Sequence, residues 1–336
     1  MTAGVRRRLS AILERFGRIR LLVAGDLVAD EFIYGRIDRV SREAPVLILS
    51  YDSTEVVPGG AGNAANNALA LGARVSVAGV VGRDAAGSRL LRVLGERADV
   101  AGVLRTAGFV TPVKTRILAG GVHSAKQQVV RIDRAGTPVP RRVLTAIEKR
   151  LAAGLRRVDA VILSDYGAGL ITPDLWARAL AAARLKRPPI VLVDSRYNLM
   201  QYRQVTACTP NESEAEAALG VRIGEDARAL EQAGRTLQSR LQCPAVLITR
   251  GSRGMALFEP GRPTEHIPIV GSDQIADVTG AGDTVIATFT LALAAGASFG
   301  DAARLANHAG SIVVMKRGTA TVTRSELAAS LAAPGA

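Results

Sequence analysis

The amino-acid sequence predicts an α/β protein with a mainly parallel central sheet flanked by helices, because two kinds of segment alternate along the chain. Short apolar runs are typical of strands that are buried on both faces of a parallel sheet. Segments with helical spacing of apolar residues separate these runs, which indicates strand–helix–strand units. The strands are predicted at Leu21–Ala24, Val75–Val80, Ala160–Leu163, Ile190–Val193 and Ala245–Thr249. The helices are predicted at Ala61–Leu71, Ala85–Leu94, Arg142–Leu155, Pro173–Leu185 and Ala227–Leu241.

A small antiparallel β lid is predicted where this alternation stops. Residues 31–57 and 110–132 hold short segments rich in β-branched residues instead of helical patterns. The predicted lid strands are Phe32–Tyr34, Val46–Leu49, Val113–Leu118 and Gln128–Ile132. Lid strands have open edges, which a second subunit can cover, so a homodimer that pairs through the lid is expected.

Size and composition indicate one domain, residues 1–336, with both lid segments inserted in it. The hydrophobic share of 48% and the charged share of 22% are typical of a globular protein with a substantial core. Two cysteines and three isolated histidines argue against a disulfide framework and a zinc site. This cysteine usage is compatible with the reducing cytoplasm, so a cytoplasmic location is expected.

The chain carries a formal net charge of +13, which has three interpretations. The first is an arginine-rich surface without a specific role, and the second is attraction to anionic small molecules such as sugar phosphates. Nucleic-acid binding is the weakest, because the basic residues are scattered and aromatic platforms are scarce. No membrane segment is expected either, since charges interrupt the N-terminal region and Thr284–Gly300 resembles a buried helix.

The strongest chemical motif runs from Asp277 to Thr284 and precedes a long apolar helical stretch. Gly280, Ala281 and Gly282 allow a tight turn that directs backbone N–H groups outward at a helix start, where they can stabilise a phosphoryl group in transfer. Asp283 lies in the same turn and can accept a proton from an attacking hydroxyl. The alternative is an aspartate that only caps the helix.

Two motifs in the first third of the chain have the chemistry of a polyol site. Gly59 and Gly60 precede Asn63 at a predicted helix start, where an amide can donate to and accept from sugar hydroxyls. Asp26 follows the first strand, at the end where α/β sheets bind ligands, and can hold two neighbouring hydroxyls. A tight turn with buried amides and an ordinary turn aspartate are the alternatives.

Two later motifs suit a nucleotide with its metal ion. Asn211 and Glu214 can reach Mg²⁺ through its water shell, although Asn-x-x-Glu is also an ordinary capping box. The turn Thr249–Gly254 is rich in glycine and can face nucleotide phosphates, or it can be a simple hairpin. No lysine follows a glycine, so a P-loop kinase is not expected.

Together and in this order, the motifs resemble those of the ribokinase-like (PfkB) carbohydrate kinases over nearly the whole chain. Gly59-Gly60 with Asn63 is similar to the N-terminal family signature, and Asp277 through Asp283 is similar to the C-terminal one. The resemblance implies a ribokinase-like fold and an ATP-dependent sugar kinase that uses Mg²⁺.

The resemblance also implies a role for each matching residue. Asp283 would be the catalytic base, with Gly280, Ala281 and Gly282 as the anion hole. The other matches are Asn211 and Glu214 for magnesium, Thr249, Gly251 and Asn307 for the nucleotide, and Asp277 and Thr279 for the K⁺ that members often bind near the anion hole.

A narrower resemblance is to the D-glycero-D-manno-heptose 7-phosphate kinases, which phosphorylate the anomeric hydroxyl on the way to ADP-heptose for lipopolysaccharide. It is carried by Tyr34-Gly35, Arg39–Val46, Thr115–Asp133 and Leu163–Tyr166. It implies that basic lid residues hold the phosphate that the sugar already carries. The candidates are Arg42, Lys114, Arg116 and Arg131.

Two positions depart from that narrower pattern. Ala168 stands where these kinases usually have lysine, and Asp194-Ser195-Arg196 stands for their Asp-Pro-Lys, so that Arg196 would face a nucleotide phosphate. The alternatives are therefore a family member that acts on another sugar, sugar phosphate or nucleoside, and a catalytically silent relative that binds ligands. The kinase region fills the sequence, so a separate enzyme is expected to supply the nucleotidyl transfer that some members carry in a fused domain.

Overall fold

The computed structural model describes residues 1–120, 126–271 and 277–333, which form a large sheet between two helical layers and a smaller sheet beside it. The helices are α1 (Ala3–Glu14), α2 (Ala61–Ala70), α3 (Ala85–Gly95), α4 (Arg141–Leu155), α5 (Pro173–Ala183), α6 (Glu212–Leu219), α7 (Ala227–Leu241), α8 (Ala281–Ala294), α9 (Phe299–Val313) and α10 (Arg324–Ala332). The strands are β1 (Arg20–Gly25), β2 (Leu27–Val40), β3 (Leu47–Gly60), β4 (Arg74–Gly82), β5 (Asp99–Thr106), β6 (Val113–Gly120), β7 (Gln127–Arg134), β8 (Ala160–Asp165), β9 (Ile190–Ser195), β10 (Ala207–Cys208), β11 (Ala245–Thr249), β12 (Met255–Phe258) and β13 (Glu265–Ile267).

The large sheet confirms the predicted α/β class. Its strand order is β13-β12-β11-β10-β9-β8-β1-β4-β5, and every neighbouring pair from β11 to β5 is parallel. Only β12 and β13 add antiparallel pairs at one edge. Because parallel strands end at the same edge of a sheet, the residues that follow β1, β8 and β9 meet there.

Two hydrophobic cores, one on each face of the sheet, explain the continuous apolar runs in the sequence. In β1, Leu21 and Val23 pack into the core beneath α2, α8 and α9, whereas Leu22 and Ala24 pack into the core beneath α4, α5 and α7. A strand covered on both faces has no polar side to show in its sequence. Helix α8 is buried from Asp283 to Leu293, as expected for the apolar stretch after Thr284.

The lid is antiparallel within its two hairpins, β2–β3 and β6–β7, as the sequence predicted. Its two central strands, β2 and β6, are parallel, which the sequence analysis did not anticipate. Each hairpin begins with a strand that runs outward from the large sheet, so the two outgoing strands lie side by side. The β2–β3 hairpin is also longer than predicted, from Leu27 to Gly60. Residues 121–125 of the second lid segment lie outside the described residues.

The N-terminal and C-terminal helices pack against each other. Helix α1 buries Leu9 in the same core as Leu327 and Leu331 of α10. Each helix has only a few apolar residues, and it is their mutual packing that stabilises both. Within the described residues, no helix has both the length and the apolar character that crossing a bilayer requires.

Candidate active site

A polar cavity of about 280 Å³ opens at the carboxyl ends of the parallel strands, between the large sheet and the lid. It contains four carboxylates and four cationic side chains, so it suits a charged ligand that carries several polar groups. The charged lining residues are Asp165, Asp194, Glu214, Asp283, Lys114, Arg116, Arg131 and Arg196.

Asp283 lies in the first turn of α8, where its carboxylate is only 6% exposed and faces this cavity. The side-chain amide of Asn63 donates to Oδ2 over 2.7 Å, and the hydroxyl of Tyr166 donates to Oδ1 over 3.2 Å. Burial raises the pKa of Asp283 to about 7, and these two hydrogen bonds oppose the rise. A carboxylate with a pKa near neutral is well matched to general-base catalysis.

The glycine turn before α8 has a different requirement at each glycine. Gly280 has a φ of +78°, and a Cβ there would approach the side-chain nitrogen Nδ2 of Asn63 to 2.5 Å, so only glycine fits. At Gly282 a Cβ would meet nothing within 4 Å. Gly282 is therefore not required by packing, but it borders the polar cavity at the start of the helix, where amide N–H groups lack helical acceptors.

A second cavity of about 330 Å³ adjoins the polar one and is mostly lined by apolar groups. It shares Asn211, Thr249 and Gly282 with the polar cavity and also contacts Gly251 and Asn307. Asn307 donates its amide to the carbonyl of Pro268 over 2.7 Å. An apolar cavity that continues into a polar one has the shape and chemistry to hold a nucleotide, with its base in the first and its phosphates at the junction.

Asn211 and Glu214 form the capping box that the sequence analysis named as the alternative to a magnesium motif. The Asn211 side chain accepts from the Glu214 amide, and the Glu214 carboxylate accepts from the Asn211 amide. Glu214 nevertheless lines the polar cavity opposite Asp194. Burial, and next the charge of Glu214, raise the pKa of Asp194 well above its usual range. A divalent cation between these carboxylates would relieve their repulsion, so the residues present fit Mg²⁺.

The cationic residues of the cavity differ in what already neutralises them. Arg116 forms a buried ion pair with Asp30 over 2.7 Å, and Arg131 pairs with Asp133 over 2.6 Å. Lys114 forms no ion pair with a described carboxylate and lies 5.2 Å from the centre of the Tyr166 ring. Burial lowers the pKa of Lys114, the charge of Asp30 opposes this shift, and the nearby charges of Arg131 and Arg196 add to it.

Several residues predicted to bind the sugar lie outside the cavity lining. Gly59 and Gly60 end β3, and a Cβ on Gly59 would come within 2.3 Å of Asp30, so packing explains that glycine. Asn63 contacts Asp283 rather than open space. Arg42 is exposed near the tip of the first lid hairpin and does not line the cavity.

Asp26 is buried directly beneath the loop that follows β8. Its Oδ2 accepts from the amides of Tyr166 and Ala168, whereas its Oδ1 is buried without a hydrogen-bond partner. Burial raises the pKa of Asp26 to about 6. Asp26 does not line the polar cavity, so its contacts in the structure fix the loop that carries Tyr166.

Asp277 holds the turn before α8 in place. Its Oδ1 accepts from the Thr279 amide and its Oδ2 from the Gly318 amide, each over 2.9 Å. Each oxygen retains a second lone pair, so the carboxylate fits K⁺ as well as the turn. Residues 272–276, which precede it, lie outside the described residues.

The sequence analysis did not select three cavity residues, Asp165, Tyr166 and Asp194. Asp165 ends β8, Tyr166 follows it and Asp194 lies near the end of β9. Their position in the sequence, at or just after the ends of predicted strands, could have identified them, since ligands bind at the carboxyl ends of parallel strands. Ser195, a departure from the heptose kinase pattern, donates to Asp165 over 2.8 Å and so helps to fix that carboxylate.

Residues 27–326 match the sequence profile described as pfkB family carbohydrate kinase. The chain belongs to this family. It is therefore a phosphotransferase that acts on a sugar hydroxyl, as the motifs around Asp283 predicted. The fold agrees: phosphofructokinase-2 from Escherichia coli, solved in complex with potassium, superposes with a TM-score of 0.75 at 17% identity, covering 94% of this chain and 98% of that one.

Other relatives agree with this family. A ribokinase from Arabidopsis thaliana, solved with ribose and ATP, has a TM-score of 0.69 at 21% identity over 93% of this chain and 98% of its own. Two curated relatives named bifunctional protein HldE are more similar in sequence. The one from Geobacter sulfurreducens is 41% identical and the one from Geobacter metallireducens 42% identical, each over 97% of this chain. The chain spans only 66% of the length of each.

The raised pKa of Asp283 predicts how turnover depends on pH. The carboxylate can accept a proton only when ionised, so kcat should fall about tenfold per pH unit below the pKa and level off above it. With a pKa of about 7, the limb should lie near neutral pH. Initial rates at saturating substrates between about pH 5.5 and 9 measure it. A kcat that does not change across this range would contradict the assignment.

The open space at Gly282 predicts a variant that folds but does not turn over. Gly282→Ala adds a methyl group at the junction of the two cavities, where it should displace the phosphates and lower kcat about 100-fold. The melting temperature should not fall, because alanine favours a helix over glycine. Gly4→Ala is the matched control, since Gly4 also occupies the second position of a helix and has free space. Normal kcat in Gly282→Ala would exclude close contact between this turn and substrate.

Proposed function

We propose that this sugar kinase transfers the terminal phosphoryl group of MgATP to the anomeric hydroxyl of D-glycero-D-manno-heptose 7-phosphate. The observation that carries the proposal is that Lys114 and Arg196 line the cavity that also contains Asp283, and that neither forms an ion pair with a described carboxylate. Two cations that repel one another are stabilised when an anion binds between them. The phosphate of a phosphorylated sugar would supply that anion, with its reacting hydroxyl at Asp283.

The similarity to the HldE relatives supports the choice of sugar. It extends over 97% of this chain and includes both lid hairpins, from which Lys114 and Arg131 reach the cavity. The departures at Ala168 and Ser195 favour one alternative, a different sugar phosphate. Ala168 offers no cation to the acceptor, so Arg196, which directly follows β9, would have to hold the phosphate in its place.

The proposed roles follow the two cavities. Asp283 removes the hydroxyl proton, and the backbone of Gly280, Ala281 and Gly282 stabilises the charge on the transferring group. Asp26 fixes the loop that carries Tyr166 by accepting from its amide, and Asn63 orients Asp283. The residues proposed for the nucleotide and its ions are Thr249, Gly251 and Asn307 for ATP, Asn211, Glu214 and Asp194 for Mg²⁺ through water, and Asp277 and Thr279 for K⁺. Arg196, which the family resemblance assigned to a nucleotide phosphate, is assigned in this proposal to the acceptor phosphate instead.

The decisive experiment is an acceptor panel with release of ADP from MgATP as the readout. The acceptors are D-glycero-D-manno-heptose 7-phosphate, ribose, fructose 6-phosphate and adenosine, beside a reaction without acceptor. The proposal predicts rapid turnover only with the heptose phosphate. Turnover only with fructose 6-phosphate would support the alternative sugar phosphate, and turnover only with ribose or adenosine would contradict a phosphate subsite.

Charge-removing variants test the phosphate subsite itself. Lys114→Met and Arg196→Met should each raise KM for the phosphorylated acceptor about tenfold or more, because each removes a charge-assisted contact. Lys126→Met is the matched control. Like Lys114, Lys126 is a lid lysine that lies over a tyrosine ring, with its ammonium 5.5 Å from the centre of the Tyr34 ring, but it pairs with Asp52 outside the cavity. An unchanged acceptor KM in both cavity variants would contradict the subsite.

The lid surface supports a homodimer as a further part of the proposal. The two hairpins expose apolar side chains, including Tyr51 at 65% and Ile132 at 52%, and β7 is an open edge strand. A second lid would cover both the edge and these side chains. Light scattering should therefore give the mass of two chains, and Ile132→Lys should reduce it to one. A wild-type protein that stays monomeric at micromolar concentration would rule the dimer out.

A further inference from the structure

A chain of buried side-chain hydrogen bonds connects α2 to α8 behind Asp283. We propose that Asn67 and Thr284 are positioning residues for Asp283, which they orient through Asn63 without touching substrate. The inference rests on the proposed role of Asp283 as the base and goes beyond it, because it assigns the orientation and proton affinity of that base to residues outside the cavity lining.

The chain of hydrogen bonds consists of three bonds between side chains. Thr284 donates its hydroxyl to Oδ1 of Asn67 over 2.8 Å, and Nδ2 of Asn67 donates to Oδ1 of Asn63 over 3.1 Å. Nδ2 of Asn63 then donates to Oδ2 of Asp283 over 2.7 Å. Thr284 and Asn67 are fully buried and Asn63 is 1% exposed, so water cannot replace a lost partner.

A backbone carbonyl fixes which group of each amide donates and which accepts along these hydrogen bonds. Nδ2 of Asn67 also donates to the carbonyl oxygen of Asn63 over 3.1 Å. A carbonyl can only accept, so the NH₂ group of Asn67 must face Asn63. The side-chain oxygen of Asn63 must then face Asn67, which leaves the NH₂ group of Asn63 to face Asp283. If Asn63 turned over, its oxygen would lie against a carboxylate oxygen.

This orientation favours the ionised form of Asp283. Burial opposes ionisation, and the hydrogen bond from Asn63 is the largest contribution that counteracts it. The other groups that act on Asp283 are Tyr166 after β8, Lys114 on β6, Asp30 on β2 and Asp194 on β9. None of these four forms a hydrogen bond with Asn67 or Thr284 among the described residues. Apart from Asn67, the Thr284 hydroxyl donates to the carbonyl of Gly280 over 3.3 Å. This is a contact with the carbonyl four residues earlier in the helix, and Thr290 makes the same kind of contact.

The test is the pH dependence of kcat in Thr284→Val, which keeps the side-chain shape and removes the hydroxyl. Asn67 then loses the partner of its oxygen and holds Asn63 less firmly, so the acidic limb of kcat should move up by about 0.5 to 1 pH unit. At pH 6, kcat should fall roughly three- to tenfold, and KM for ATP and acceptor should change little. Asn67→Leu, which removes the donor to Asn63, should move the limb at least as far.

Thr290→Val is the matched control. Thr290 is a fully buried threonine of the same helix. Its hydroxyl donates to the carbonyl of Ile286, and it forms no hydrogen bond with Asn67, Asn63 or Asp283 among the described residues. The acidic limb of kcat should stay at its wild-type pH in Thr290→Val. It should also lie at its wild-type pH in Thr284→Ser, which keeps the hydroxyl. If Thr284→Val does not fold, Thr284→Ala beside Thr290→Ala gives the same comparison with smaller side chains.

The outcomes separate this inference from the proposed function. All rates are measured with whichever acceptor the wild-type protein phosphorylates, so a different sugar leaves the test intact. A wild-type acidic limb that neither Thr284→Val nor Asn67→Leu moves would overturn the positioning role and leave Asp283 as the base. Equal shifts in Thr284→Val and Thr290→Val would also overturn it, since they would reflect a general disturbance of α8.

Discussion

The structure depends on keeping one carboxylate buried at the start of an apolar helix. Burial opposes the ionisation of Asp283, and donors from two distant parts of the chain, Asn63 and Tyr166, favour it. This arrangement constrains its surroundings: Gly280 must be glycine because Asn63 occupies the space of a side chain. The constraint therefore joins α2, α8 and the loop after β8 into one unit, and the cavities form around that unit.

The polar cavity brings charges of opposite sign together from different parts of the fold. Carboxylates from the large sheet and α6, including Asp194 and Glu214, lie where a divalent cation would join a nucleotide. The lid contributes cations, of which Lys114 forms no ion pair with a described carboxylate. An acceptor phosphate would therefore draw the lid and the sheet together, since its binding neutralises charges that repel one another. Closure would also exclude water from the reaction.

The parts that the sequence predicted correctly are those encoded locally. The parallel strands appear as continuous apolar runs, and the turn before α8 is contained within eight residues from Asp277 to Thr284. Contacts between distant segments were not predictable, because nothing in either segment indicates its partner. The hydrogen bond from Asn63 to Asp283 spans 220 residues, and it explains why Asn63 faces the base rather than the open cavity. The parallel pairing of β2 with β6 is of the same kind.

The central claim is that the buried carboxylate of Asp283 accepts the proton of the acceptor hydroxyl. The most direct measurement is kcat of Asp283→Asn beside the dissociation constant for MgATP, since asparagine keeps the size of the side chain and removes its basicity. The account predicts a loss of kcat of at least about 100-fold with MgATP affinity retained. A near wild-type kcat would contradict the account, because the reaction would then proceed without this carboxylate.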